Sequence, residues 1–118
     1  MQRTAQLSAW LLVLTIAVLS LVPAPYRPVS AASHGFEHAA IFFATGCSFA
    51  LGYPGRVWWR WAALIAFAGA IEIAQIWLRT RHARVSDFIV DAAAACAGIA
   101  AVWLVRTLIS SADRMDTT

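Results

Sequence analysis

The chain has 118 residues, of which 61% are hydrophobic and 13% are charged. This composition excludes an ordinary soluble domain and an intrinsically disordered chain. The net charge of +3 comes from arginines, since the chain contains no lysine. Because these arginines flank apolar segments, we interpret them as membrane anchors and orientation signals, and we expect no nucleic-acid partner.

Four apolar segments predict an all-α integral membrane protein whose partner is the lipid bilayer. Each segment approaches or exceeds the roughly 17–25 residues that a helix needs to cross a bilayer. The remaining hydrophilic residues are too few for a second domain, so we expect a single transmembrane domain over residues 1–118. The predicted spans are residues 7–22, 36–52, 57–78 and 88–109.

The first segment has a second interpretation, as the apolar region of a cleaved signal peptide. Residues 29–31, Val-Ser-Ala, resemble a small-residue cleavage site. The proline-rich residues 23–28 instead indicate a helix stop followed by an extended loop. We expect this segment to be retained as the first span, with cleavage as the alternative.

The connections between the segments predict the topology. Gly52-Tyr53-Pro54-Gly55 has the composition of a tight turn, which predicts that the second and third spans pack as antiparallel neighbours. The third and fourth spans are joined by residues 79–87, which are short, polar and basic. These loop lengths predict an up-down bundle of four transmembrane helices.

The distribution of arginines predicts the orientation of this bundle. The end that holds the N-terminus carries one more arginine than the opposite end. The positive-inside rule therefore places both termini in the cytoplasm. The arginines of the N-terminal end are Arg3, Arg56, Arg60, Arg106 and Arg114, and those of the opposite end are Arg27, Arg79, Arg81 and Arg84.

Polar side chains gather at one end of three predicted spans. An ionisable group at membrane depth costs about 2.5–3.5 kcal/mol to insert, and it usually faces a bundle interior and marks a functional site. The up-down topology brings these three span ends together, and the helical rise places His38, Glu72 and Asp91 at similar depths. The polar residues of this end are His34, Glu37, His38, Glu72, Gln75, Arg79, Asp87 and Asp91.

This polar group has three interpretations. It is a binding or catalytic site, or a hydrogen-bonded network that fixes helix register, or a metal site with His38, Glu72 and Asp91 as ligands. We favour the binding or catalytic site, because a register lock rarely needs so many ionisable groups. No tight ligand motif such as HExxH is present, so we predict no metal ligands.

Small residues within the spans predict close helix packing. Ala94 and Gly98 form a small-xxx-small pair, which lets two helices approach closely. Cys47 and Cys96 lie inside predicted spans, and we interpret them as packing residues rather than as a disulfide or metal ligands.

Taken together, the motifs of residues 34–103 resemble those of the VanZ-like membrane proteins, a family named for a protein linked to resistance to the glycopeptide teicoplanin. His38 is followed four residues later by an aromatic residue, Phe42, as in the family. The turn Tyr53-Pro54-Gly55-Arg56 is similar to the family's turn, and Glu72-Ile73-Ala74-Gln75 matches its Glu-x-x-Gln.

The spacing after this motif also matches the family, because Arg81 follows Gln75 by six residues and Asp87 follows Arg81 by six. The chain departs from the family at other positions. His34-Gly35 replaces an Asp-Lys pair, Asp91 stands where an asparagine is usual, and Ala94 stands where a glycine is usual.

The resemblance implies a multi-pass protein of the bacterial cytoplasmic (inner) membrane with a role in the cell envelope, because the family is associated with drugs that act on cell-wall precursors. It leaves the cofactor unknown and the reaction open. A homo-oligomer is an open alternative to a single chain.

Three functional hypotheses follow. In the first, which we favour, an accessory protein binds an anionic, glycan or peptide-like envelope ligand, with Arg81 and Arg84 supplying charge-assisted hydrogen bonds. In the second, an intramembrane enzyme acts on a lipid-linked intermediate, with Glu72 as general base and His38 as its acid/base partner. The third is a proton-coupled transporter or a structural subunit. The other binding residues of the first hypothesis are Glu37, Gln75, Asp87 and Asp91.

Overall fold

The computed structural model describes residues 1–26, 31, 33–55, 58–78 and 84–116. Over these residues the protein is all-helical, which confirms the predicted fold class. The α-helices are α1 (Gln2–Leu21), α2 (His34–Gly52), α3 (Trp58–Trp77) and α4 (Val85–Asp116), and a 3-10 turn covers Ala24–Tyr26. Each helix overlaps one predicted span, but α1 begins five residues before residue 7 and α4 continues seven residues beyond residue 109.

Among the described residues, α1, α3 and α4 are long and apolar enough to cross a membrane. Their composition indicates a lipid bilayer environment. Helix α2 is not in this group, although it has 19 residues. His34, Glu37 and His38 in its first two turns lower its mean hydropathy, so its crossing of the membrane stays a prediction.

The spatial order of the helices differs from their order along the chain. Helix α2 packs most extensively against α4 and also against α1, whereas α3 packs against α4 and α1. Helices α2 and α3 barely contact each other. The prediction that they pack as neighbours was therefore wrong, because a tight turn fixes their antiparallel direction and not their contact. They occupy diagonal positions, and α2 and α4 run parallel side by side.

Two glycines allow α2 and α4 to approach closely. A Cβ atom on Gly46 would collide with the backbone carbonyl of Ala95, and one on Gly98 would collide with the backbone of Phe43 and Cys47. The thiol of Cys47 also lies 3.4 Å from the carbonyl oxygen of Gly98 and donates to it. The close approach predicted for Gly98 is confirmed, with α2 as the partner helix.

The bundle has two chemically different ends. We call the end formed by residues 52–55 and the N-terminus the turn end. There the side-chain amide of Gln6 donates to the carbonyl oxygen of Gly52 over 2.8 Å, and Trp10 donates to the Tyr53 hydroxyl over 2.8 Å. Gly55 has φ = 135°, a backbone conformation that favours glycine. The turn end is thus fastened to α1 by hydrogen bonds.

Candidate functional site

The opposite end of the bundle, which we call the cluster end, brings together polar residues from α2, α3 and α4. Ser33 begins α2 by accepting a hydrogen bond from the backbone N–H of Phe36 at 3.4 Å. This cap places His38 one turn inside the helix. The Nδ1 atom of His38 lies 3.1 Å and 3.2 Å from the two carboxylate oxygens of Asp91 on α4. These two residues form the centre of the predicted site.

Asp91 is fully buried, with 0% of its surface exposed. It can lie there because its carboxylate is paired with His38, as buried charged or polar groups require. The pair also fixes the orientation of the imidazole ring, since one ring nitrogen is held by the carboxylate. The parallel packing of α2 and α4 explains why these positions meet.

Glu72 of α3 completes the central group. It is 8% exposed, and its Oε2 atom has no hydrogen-bond partner among the described residues. His38, Asp87 and Asp91 all lie close enough to act on it electrostatically. Glu72 therefore presents a buried hydrogen-bond acceptor beside the His38–Asp91 pair.

An aromatic floor separates this polar group from the rest of the bundle. The ring of Phe42, which is fully buried, stacks against the His38 ring with 6.4 Å between centroids. Phe42 in turn contacts Phe67 of α3, with 6.1 Å between centroids. These rings lie between the polar group and the apolar interior of the bundle.

Gln75 has a different role from its neighbour Glu72. It is 4% exposed, and its side-chain amide donates to the backbone carbonyl of Ser20 over 3.1 Å. Ser20 lies in the last turn of α1, where backbone carbonyls lack partners within the helix. Gln75 thus ties α3 to α1, and its amide N–H group serves this link rather than the centre of the cluster.

The remaining predicted site residues lie toward the rim. Asp87 and Glu37 are partly buried, whereas Arg84 is exposed. The carbonyl oxygen of Arg84 accepts from the backbone N–H groups of Asp87 and Phe88 at 3.0 Å and 3.3 Å, which begins α4. Arg79 and Arg81 lie outside the described residues, so their predicted roles are untested.

The metal interpretation is not supported by the geometry. Within the part of the chain that the structure describes, no group of three or more His, Cys, Asp and Glu residues is arranged to hold a metal ion. His38, Glu72 and Asp91 come together, but as a hydrogen-bonded pair with an adjacent carboxyl group.

Two contacts of this end were absent from the sequence-based prediction. The packing of Phe42 beneath His38 follows from their i,i+4 spacing, which places them on one helix face. The link between Gln75 and Ser20 has no comparable signal, because Ser20 lies 55 positions away and joins through its backbone.

Comparisons with known proteins found no matching protein family, no matching curated protein and no matching solved structure. The resemblance to the VanZ-like proteins therefore stays a prediction that depends on the motifs alone.

Proposed function

We propose that this protein is a VanZ-like protein of the bacterial cytoplasmic membrane that binds the polar headgroup of an envelope ligand at its cluster end. The observation that carries this proposal is the buried Oε2 atom of Glu72, which has no donor among the described residues. A buried acceptor without a donor costs about 1–3 kcal/mol. A ligand that donates to it recovers this free energy on binding.

The chemistry of the cluster favours a ligand rich in hydrogen-bond donors. Glu72, Asp87 and Asp91 contribute carboxyl groups, which accept hydrogen bonds from hydroxyl and amide groups. Glycan and peptide-like headgroups carry such donors. The exposed guanidinium of Arg84 at the rim suits a phosphate or carboxylate on the same ligand. A lipid-linked saccharide combines these features with an apolar tail for the bilayer.

The test measures binding to the purified full chain in detergent by native mass spectrometry. The probes are a polyprenyl-diphosphate-linked disaccharide and the same polyprenyl diphosphate without sugar. We expect the wild type to prefer the disaccharide form, and Glu72→Gln to lower its affinity by roughly ten-fold to a hundred-fold, the size of one hydrogen bond to a charged group.

The matched control is Asp113→Asn, which removes a carboxylate from the exposed far end of α4. This variant should bind as the wild type does. Equal affinities of Glu72→Gln and wild type for the disaccharide form would contradict the proposal.

A second candidate is an intramembrane acid/base enzyme that acts on the same class of lipid-linked intermediate. The specific observation in its favour is the His38–Asp91 pair, because a carboxylate that orients an imidazole is a recurring arrangement for proton transfer. Glu72 beside the pair would serve as the general base.

The same preparations test this candidate when product formation from the disaccharide probe is followed over time. Removal of a general acid or base lowers the rate by about 10²- to 10⁴-fold. The enzyme candidate requires turnover by the wild type and such a loss in both Glu72→Gln and His38→Ala. Binding without turnover supports the accessory role alone.

A further inference from the structure

A buried arginine lies at the turn end, remote from the polar cluster. Arg60 in the first turn of α3 is only 5% exposed. Its Nη1 atom donates to the carbonyl oxygen of Ala50, and its Nη2 atom donates to that of Gly55, each over 3.2 Å. Arg60 therefore satisfies a carbonyl of the last turn of α2, a position where a cation also complements the helix dipole.

These contacts do not balance the charge of Arg60. A helix C-terminus carries only about half a negative charge. The other charged group that acts on Arg60 is Arg106 of α4, which is a second cation. In addition, the Nε atom of Arg60 is buried and has no hydrogen-bond partner among the described residues. A buried guanidinium is costly unless an anion pairs with it.

A cleft connects the two arginines. It is lined by Ala50, Arg60, Ile99, Val102, Trp103 and Arg106. Among the described residues that line it, four are apolar or aromatic, two are arginines and none is acidic. The structure thus provides two cationic donors on an apolar wall.

The position of the cleft fits the boundary between bilayer and water. It lies beside the residues 52–55 turn and the start of α3, where the chain leaves the apolar part of the bundle. Trp103 on its wall is largely exposed, and tryptophan is typical of the headgroup level of a membrane. Arg106 is exposed three residues further along α4.

We propose that the cleft between Arg60 and Arg106 binds a phosphate group of net negative charge. Guanidinium groups match the geometry of phosphate oxygens and donate two hydrogen bonds to them at once. The phosphate belongs either to an anionic phospholipid headgroup or to a free phosphate ion, since both offer the same oxygens. In either case it supplies the negative charge that the turn end lacks.

The test uses the purified full chain in detergent and measures bound lipid by native mass spectrometry. The probes are phosphatidylglycerol, which has a net negative charge, and phosphatidylcholine, which has none. We expect phosphatidylglycerol to be preferred, and Arg106→Gln to weaken its binding by about ten-fold, the size of one charge-assisted hydrogen bond. Arg114→Gln removes the same charge eight residues further along α4 and should leave binding unchanged.

Arg106 is the residue to vary because it is exposed, whereas a change at Arg60 also removes two hydrogen bonds that hold the turn. A second arm titrates inorganic phosphate against the wild type and against both variants. Binding of inorganic phosphate that depends on Arg106, with no preference for phosphatidylglycerol, assigns the site to free phosphate. The proposal is overturned if Arg106→Gln binds phosphatidylglycerol and inorganic phosphate as well as Arg114→Gln does.

Discussion

At the scale of single residues, Asp91 and Glu72 illustrate two ways in which a carboxyl group is held inside a helical bundle. Asp91 is fully buried and paired with His38, whereas Glu72 has a carboxyl oxygen without a partner among the described residues. A satisfied buried group stabilises the fold, because its removal leaves the other partner unsatisfied. An unsatisfied buried group lowers stability, and a functional role is one of the explanations for its presence.

This difference predicts opposite effects on stability. Asp91→Ala should lower the free energy of unfolding by about 1–3 kcal/mol, because the imidazole of His38 loses its buried partner. Glu72→Gln should leave it unchanged or raise it by up to about 2 kcal/mol, because the carboxyl oxygen that it replaces has no partner among the described residues. Reversible unfolding of the purified protein, titrated with sodium dodecyl sulfate, measures both values.

Asp116→Ala serves as the control for this comparison, since Asp116 is exposed on the same helix as Asp91. Its effect should lie within about 0.5 kcal/mol of zero. The assignment of roles fails if Glu72→Gln destabilises the protein as strongly as Asp91→Ala. That result would indicate a register lock in which both carboxyl groups are structural.

At the scale of helices, the sequence predicts the elements well and their packing poorly. Apolar segments of membrane-spanning length identify all four helices, because this signal depends only on local composition. The end of α4 was missed, since the polar residues from Ser110 onward end the apolar pattern but not the helix. The pairing of α2 with α4 was missed because it depends on contacts between Gly46, Gly98 and the facing backbones.

The site shows the same division between local and distant signals. The convergence of three helix ends could be predicted from the alternation of helix directions, and His38 and Asp91 form a hydrogen-bonded pair there with Glu72 in electrostatic range. The separate role of Gln75 could not be predicted. Its partner is a backbone carbonyl of α1, and every residue type offers such a carbonyl.

The close packing of α2 and α4 predicts a large effect of one added methyl group. In Gly98→Ala the new Cβ atom meets the backbone of Phe43 and Cys47, so the two helices must separate. Overpacking of this kind costs about 1–3 kcal/mol. We expect Gly98→Ala to lose at least this much free energy of unfolding in the same titration with sodium dodecyl sulfate.

Gly69→Ala is the matched control, because a Cβ atom at Gly69 meets only the side chain of Phe88 at an ordinary distance of 3.5 Å. This variant should be neutral or more stable, by up to about 1 kcal/mol, since alanine favours a helix over glycine. Equal stabilities of the two variants would show that α2 and α4 do not pack through Gly98.

At the scale of the whole molecule, the charges divide between the two ends of the bundle. The cluster end holds Glu72, Asp87 and Asp91, and the turn end holds Arg60 and Arg106. The apolar core between them includes Phe42, Phe49, Leu64, Ala68, Ala95 and Ile99. Whether α2 also crosses the bilayer decides on which sides of the membrane the two termini lie.

We expect α2 to cross, despite its polar first turns. Its 19 residues correspond to about 28 Å at the rise of an α-helix, which is close to the hydrocarbon thickness of roughly 30 Å. Glu37 and His38 lie near its start, at the cluster end, so we expect them to lie away from the centre of the bilayer. Four crossings place both termini on the same side, whereas three place them on opposite sides.

Cysteine labelling distinguishes these topologies. In a Cys47→Ala, Cys96→Ala background, Thr4→Cys and Ser111→Cys report on the two ends of the chain, and Ala31→Cys reports on the loop before α2. The reagent is a membrane-impermeant maleimide. Since the arginines favour cytoplasmic termini, we expect Thr4→Cys and Ser111→Cys to react only after cell lysis and Ala31→Cys to react in intact cells. Labelling of Thr4→Cys and Ser111→Cys from opposite sides would show that α2 does not cross. Labelling of Thr4→Cys and Ser111→Cys in intact cells would show the opposite orientation. The polar cluster would then face the cytoplasm, where an envelope ligand could reach it only before that ligand is exported.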